Sequence, residues 1–175
     1  MADKEISNRG AQGIQVRPAL QADVVFIHAL ISDLADFENL QHQFVASVAD
    51  LEQGLIGADR AAEALVAEVE GQVVAYAIFF PSYSTFIGKA GLWLEDLYVK
   101  PEFRGRGVGK ALITAVAGLA EQRGCQRFEW SVLDWNQRAI DFYQSLGADV
   151  MPDWRTARLD REGIEALAGS EGEGD

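Results

Sequence analysis

The sequence predicts an α/β fold: a mixed sheet flanked by helices in one main domain. Three observations carry the prediction. Residues 65–69 and 73–80 are strand-like apolar runs on either side of Glu70-Gly71-Gln72, which reads as a tight antiparallel hairpin. Two later strand-like runs, 92–99 and 128–133, are separated by an amphipathic helical stripe, the pattern of a helical crossover. Finally, 175 residues with 49% apolar and 24% charged content suit roughly one domain with a real core.

The elements follow in order. Residues 14–16 read as a short strand closed by Arg17-Pro18. Asp23 stands as an N-cap ahead of Val24, Ile27, Leu30, Ile31 and Leu34, which are spaced for a helix that fades into residues 36–39. Ser47 and Asp50 form a capping pair for a second, short helix through Leu55. After the hairpin, residues 81–89 read as a loop carrying Ser82, Tyr83, Ser84, Thr85 and Phe86. The strand 92–99 ends at Lys100-Pro101. Val108, Ala111, Leu112, Ala115, Val116 and Leu119 make the stripe of the next helix, stopped by Gly124. Strand 128–133 precedes a helix lined by Ala139, Phe142, Tyr143 and Leu146 and stopped by Gly147, and a last extended piece lies near residues 154–159. Residues 1–13 read as a disordered leader, 14–160 as a single domain, and 161–175 as a C-terminal segment ending in an acidic, disordered tail.

Charge and composition exclude several functions. The formal net charge is −12, a poor match to phosphate backbones and a better one to cationic partners. No apolar run approaches the roughly 20 residues needed to span a bilayer, and the acidic start, Met1-Ala2-Asp3-Lys4-Glu5, is not a signal peptide. The single cysteine, Cys125, fits a reducing cytoplasm. His28 and His42 have no cysteine or further histidine at ligand spacing, so no metal site is expected.

Three segments carry chemistry. Arg104-Gly105-Arg106-Gly107-Val108-Gly109-Lys110 lies between a strand and a helix, where glycines let backbone amides approach an anion and a helix start adds partial positive charge. A P-loop would need glycine at Arg104 and Ser or Thr at Ala111, and a dinucleotide fingerprint would need glycine at Lys110, so kinase and dehydrogenase readings fail. Arg-x-x-Gly-x-Gly remains, a cradle for a pyrophosphate. Glu95-Asp96 interrupts an apolar strand, and regular alternation sends the two side chains to opposite faces. Solvated acids at an edge or bulge would look the same. Asp134-Trp135-Asn136 leads into the helix of Tyr143, where Asn136 reads equally as an N-cap and Tyr143 as a core residue.

Together "LWLEDLYVKPEFRGRGVGKAL" and "FEWSVLDWNQRAIDFYQSLGA" resemble the GNAT superfamily of acetyl-coenzyme A-dependent N-acetyltransferases. They are most similar to its spermidine/spermine and thialysine branch, over about residues 14–160. The resemblance implies a mostly antiparallel sheet with a splayed central strand, acetyl-coenzyme A as co-substrate without a metal, a cytoplasmic homodimer, and no nucleic-acid or membrane partner. It implies that the backbone of Leu97, Tyr98 and Val99 holds the pantetheine arm. Arg104, Gly105, Arg106, Gly107, Val108, Gly109 and Lys110 would hold the pyrophosphate, and Asn136 would hydrogen-bond the cofactor. Glu95 would be general base through water and Tyr143 general acid, while Glu38, Ser84, Phe86, Asp96, Asp153 and Trp154 would line the acceptor pocket. Ser84 stands where the polyamine enzymes place an acid and Phe86 where they place a tryptophan. Both departures favour a smaller amine, a lysine-like or thialysine-like amino acid or a diamine, over spermine. Acetylation of protein lysines and a non-catalytic acetyl-coenzyme A-binding module are the alternatives. Retention of Glu95, Asn136 and Tyr143 beside a full cradle favours an enzyme.

Overall fold

The computed structural model describes residues 8–10 and 13–170. The chain divides into two compact units, residues 1–131 and 132–175.

The first unit is built on a six-stranded sheet in sequence order: β1 (Asn8–Gly10), β2 (Ile14–Pro18), β3 (Glu63–Val69), β4 (Gln72–Ser84), β5 (Lys89–Val99) and β6 (Phe128–Trp130). Neighbours pair antiparallel from β1 to β5, and β5 pairs parallel with β6. The mixed, mostly antiparallel sheet is thus as the sequence predicts. Asn8–Gly10 pairs with β2 where a disordered leader was expected. The rest of that leader up to residue 12, and the tail 171–175, lie outside the described residues.

The β3–β4 hairpin turns through Glu70 and Gly71 at φ 53° and 78°. Two left-handed residues twist a two-residue loop to suit the strands, and glycine takes such a φ at no cost. β4 then continues through Pro81 to Ser84, where a loop was expected. By Pro81 the partner β3 has ended, since Glu63 pairs with Phe79. Pro81 therefore has a ladder on one side only, and an edge position tolerates proline.

Helix α1 (Val24–Glu38) and α2 (Val48–Leu55) cover one face of the sheet. Ile27, Leu30 and Leu55 pack there with Ala64, Val66, Val73, Tyr76, Ile78 and Tyr98. Helix α3 (Val108–Gln122) covers the other face and buries Val108, Leu112, Ile113, Val116, Leu119 and Ala120, close to the stripe read from the sequence. Just past α3, Arg123 forks onto both carboxylate oxygens of Glu63 at 2.6 and 2.8 Å. Ser47 and Asp50 cap α2 as expected, the Ser47 N–H donating to Asp50 Oδ2 at 2.8 Å and the Asp50 N–H to Ser47 Oγ at 3.2 Å. Asp23 does not cap α1. It accepts from the Leu20 N–H at 2.7 Å and from Arg17, which also reaches Glu68, so this carboxylate ties β2 and β3 to the helix entry.

The second unit holds α4 (Gln137–Ser145) and α5 (Arg161–Gly169). Asp160 caps α5, its Oδ1 accepting from the Gly163 N–H at 2.8 Å, although the sequence reading placed only a C-terminal segment there. Residues 154–159 form no strand, and Trp154 and Leu159 are exposed. Among the described residues no helix is long and apolar enough to cross a membrane.

Candidate functional site

The site is organised by one irregularity in β5. Ile78 of β4 pairs with Asp96 and Phe79 pairs with Leu94, so Glu95 is an extra residue without a partner, a β-bulge. The sequence reading put Glu95 and Asp96 on opposite faces, as unbroken alternation requires. The bulge cancels that alternation by one step and brings both carboxylates to the α1 face. Glu95 Oε2 accepts from the Trp93 indole N–H at 3.1 Å, and Asp96 Oδ2 accepts from the Tyr76 hydroxyl at 3.4 Å. Glu95 is exposed, Asp96 half-buried and Tyr76 fully buried.

Glu38, the last residue of α1, completes the cluster. Burial raises its carboxyl above the usual range. Asp96 is pushed up to about 6, first by burial, then by the charges of Glu95 and Glu38, with the Tyr76 hydroxyl pulling it back. Three acids and a phenol thus stand close together. Among the described residues no group of three or more His, Cys, Asp or Glu side chains is placed to hold a metal ion.

The same bulge opens the sheet. Parallel pairing between β5 and β6 ends at Leu94 and Trp130, and residues 95–99 pair only with β4. This is the splayed central strand that the resemblance implied, and it shortens β6 to Phe128–Trp130 where 128–133 was expected. Leu97, Tyr98 and Val99 lie on the open stretch. Past it, Gly105 and Gly107 take φ of 74° and 86°, and Gly107 is the N-cap of α3. The Ala111 N–H donates to Gly107 O at 2.9 Å and closes the first helical turn. The N–H groups of Val108, Gly109 and Lys110 therefore lack partners within the helix, and Arg106 and Lys110 are exposed beside them. This is the arrangement an anion needs. Arg104 is turned the other way: its Nε donates to the Val99 carbonyl at 2.8 Å, and its guanidinium lies 5.3 Å from the rings of Phe37 and Tyr98.

The remaining site residues stand elsewhere. Ser84 is buried at the β4–β5 turn, its hydroxyl accepting from the Ile87 N–H at 3.4 Å, while Phe86 at the tip is 94% exposed. In the second unit Asn136 caps α4 through its Oδ1, which accepts from the Ala139 N–H at 3.2 Å. Tyr143 is buried on α4 against Phe142, while Asp153 and Trp154 are exposed. Sequence reasoning missed Tyr76 and Phe37. Tyr76 sits in an apolar run and reads as core, so only its strand register could have flagged it.

The family model described as "Acetyltransferase (GNAT) family" matches residues 28–148. Thialysine N-epsilon-acetyltransferase of Bos taurus is 38% identical over 167 residues, covering 89% of this chain and 98% of that protein. L-ornithine N5-acetyltransferase of Arabidopsis thaliana is 31% identical, covering 87% of each. Spermidine/spermine N(1)-acetyltransferase-like protein 1 of Homo sapiens is also 31% identical, over 90% of this chain but 24% of that protein. Among solved structures, an integron cassette protein from the mobile metagenome of V. cholerae shares the fold with a TM-score of 0.74 at 21% identity, covering 91% of this chain and 100% of that one.

Proposed function

This chain belongs to the acetyltransferase (GNAT) family, and on that premise we propose that it moves an acetyl group from acetyl-coenzyme A to the primary amine of a small cationic acceptor by direct attack. The observation that carries the reading is the bulge of β5, which gathers Glu95 and Asp96 with Glu38 on one face and opens the strand edge leading to the glycine turn.

The residues present fit the co-substrate. Gly105 and Gly107 leave open space where any other residue would carry a Cβ, and the unpaired amides at the start of α3 suit a pyrophosphate. When bound, acetyl-coenzyme A supplies an activated acyl thioester. Residues 97–99 pair with β4 on one side only, and the Val99 carbonyl is taken by Arg104, so a backbone N–H on the other side would be the donor for oxygen charge that builds during attack.

An alkylamine with a pKa near 10.4 is almost wholly protonated at neutral pH, with roughly one molecule in 2,500 nucleophilic. Asp96 and Glu38 receive the ammonium by charge. Glu95, exposed and held by Trp93, accepts the proton through water. Tyr143 would give its proton to the departing thiolate as charge builds on sulfur and recover one from solvent, a transfer uphill by only about 1.5 pKa units between a phenol and a thiol. Arg104 ties the end of β5 to α1 rather than reaching outward.

Two of these relatives are named as acetyltransferases of thialysine and of ornithine, and a third is named for its likeness to a spermidine/spermine acetyltransferase. A small acidic receiver of half-buried Asp96 and Glu38 beside exposed Glu95, with Ser84 engaged in its own turn, supports a compact diamine or diamino acid. We also propose that residues 14–160 act as one catalytic domain, that the chain works as a cytoplasmic homodimer, and that Asn136 donates to the cofactor. The test is thiol release from acetyl-coenzyme A with a panel of thialysine, ornithine, lysine, short diamines, spermine and lysine-bearing peptides. The expected result is fastest turnover with the diamino acids or short diamines. No release with any primary amine would end the reading.

A further inference from the structure

One buried polar group has no part in the chemistry above. Tyr76 stands on the α1 face of β4 with its side chain fully buried among Ile27, Leu30 and Ile78. An apolar ring would fill the same space without a hydroxyl to satisfy. The register explains the hydroxyl's partner. Tyr76 lies opposite Tyr98, and Asp96, two residues before Tyr98, is its diagonal neighbour on the same face.

We propose that Tyr76 is a positioning residue, which holds Asp96 as a fixed, charged receiver for the acceptor's ammonium group. This rests on the acetyltransferase reading. The groups facing the pair are Glu38 from α1, Glu95 and Tyr98 from β5, and beyond Tyr98 both Asp33 of α1 and Arg104. Burial, then the charges of Glu95 and Glu38, push Asp96 toward its neutral form, which would neither attract an ammonium nor distinguish it from a neutral amine. The Tyr76 hydroxyl opposes them. Its own proton is secure, because burial, then the charge of Asp96, raises Tyr76 well above the ordinary phenol range. It therefore remains a donor at any working pH, from a fully buried position on β4.

The test compares the full chain with Tyr76→Phe, which keeps the ring and removes only the hydroxyl. Carbon NMR of the Asp96 carboxyl reads its ionisation directly. The hydrogen bond is long at 3.4 Å, so the midpoint is expected to rise by about half a pH unit in the variant. The acid limb of kcat/KM for a cationic amine should move with it, giving about a threefold loss below the midpoint and parity at high pH. In an Asp96→Asn background the same change should leave the pH profile unmoved. An unchanged Asp96 midpoint, or a loss uniform across pH, overturns the proposal. If the wild-type chain acetylates no amine, the acetyltransferase reading fails, and the NMR titration still decides whether Tyr76 controls Asp96.

Discussion

At Asp96 a carboxyl that ordinarily titrates near 3.8 is held back to about 6 by burial and by the charges of Glu95 and Glu38. The folded chain therefore binds that proton more tightly than the unfolded chain does. Below 3.8 both states hold it and the group is neutral toward stability. As pH rises through 6 the folded state carries a charge it disfavours, at a cost of about 1–3 kcal/mol. Asp96→Asn should accordingly melt higher than wild type at pH 7 to 8, with the advantage gone near pH 4, while kcat/KM for cationic amines falls. Thermal melts at the two pH values check the sign. The proposed acid and base make a paired test. Tyr143→Phe should lower turnover by roughly 10²–10⁴-fold. Glu95→Gln should lower it by a margin that shrinks as pH approaches the amine pKa, since high pH supplies free amine unaided. Near-wild-type turnover in both variants removes both roles. At this scale the sequence named Glu95 and Asp96 but put them on opposite faces, because a period of two carries no signal for an inserted residue. Tyr76 was illegible for another reason: its partner lies twenty positions away, across a strand pairing that no local pattern encodes.

Among the elements, the turn into α3 was the most legible, because Gly105 and Gly107 need left-handed backbone that glycine alone adopts freely. A Cβ at Gly107 meets nothing within 4 Å, so Gly107→Val would strain only the backbone there, by about 1–2 kcal/mol. The added side chain would nonetheless stand where the first amides of α3 face outward. Calorimetry should show acetyl-coenzyme A binding at least about tenfold weaker, and unchanged affinity would remove this turn from the cofactor site. The hairpin, the α2 cap and the α3 stripe were also readable, since each is a local pattern of a few residues. The short β6 was not, because its length is set by the bulge in β5. Nor was the role of Asp23, whose pairing with Arg17 and Glu68 outweighs the capping position that its spacing suggested.

For the whole molecule, a charge of −12 opposes association between copies at low salt, and apolar contact is one way for a proposed homodimer to offset it. Tyr83, Phe86 and Ile87 at the tip of the β4–β5 turn are exposed and supply such a surface on the first unit. Light scattering at micromolar concentration should give twice the mass of one chain, falling toward one in Phe86→Ser; a monomer mass in the wild type refutes the dimer. The open edge of β5 has another consequence at this scale. Residues 95–99 present backbone donors and acceptors that no neighbouring strand takes up past Leu94, and an unpaired edge is a template on which other chains can add strands. A cofactor laid along that edge would also shield it. Protein stripped of coenzyme A should therefore become turbid sooner on storage than protein kept with it, and β-sheet-rich aggregates should begin at this strand, so that the ligand acts as a guardian of solubility as well as a reagent.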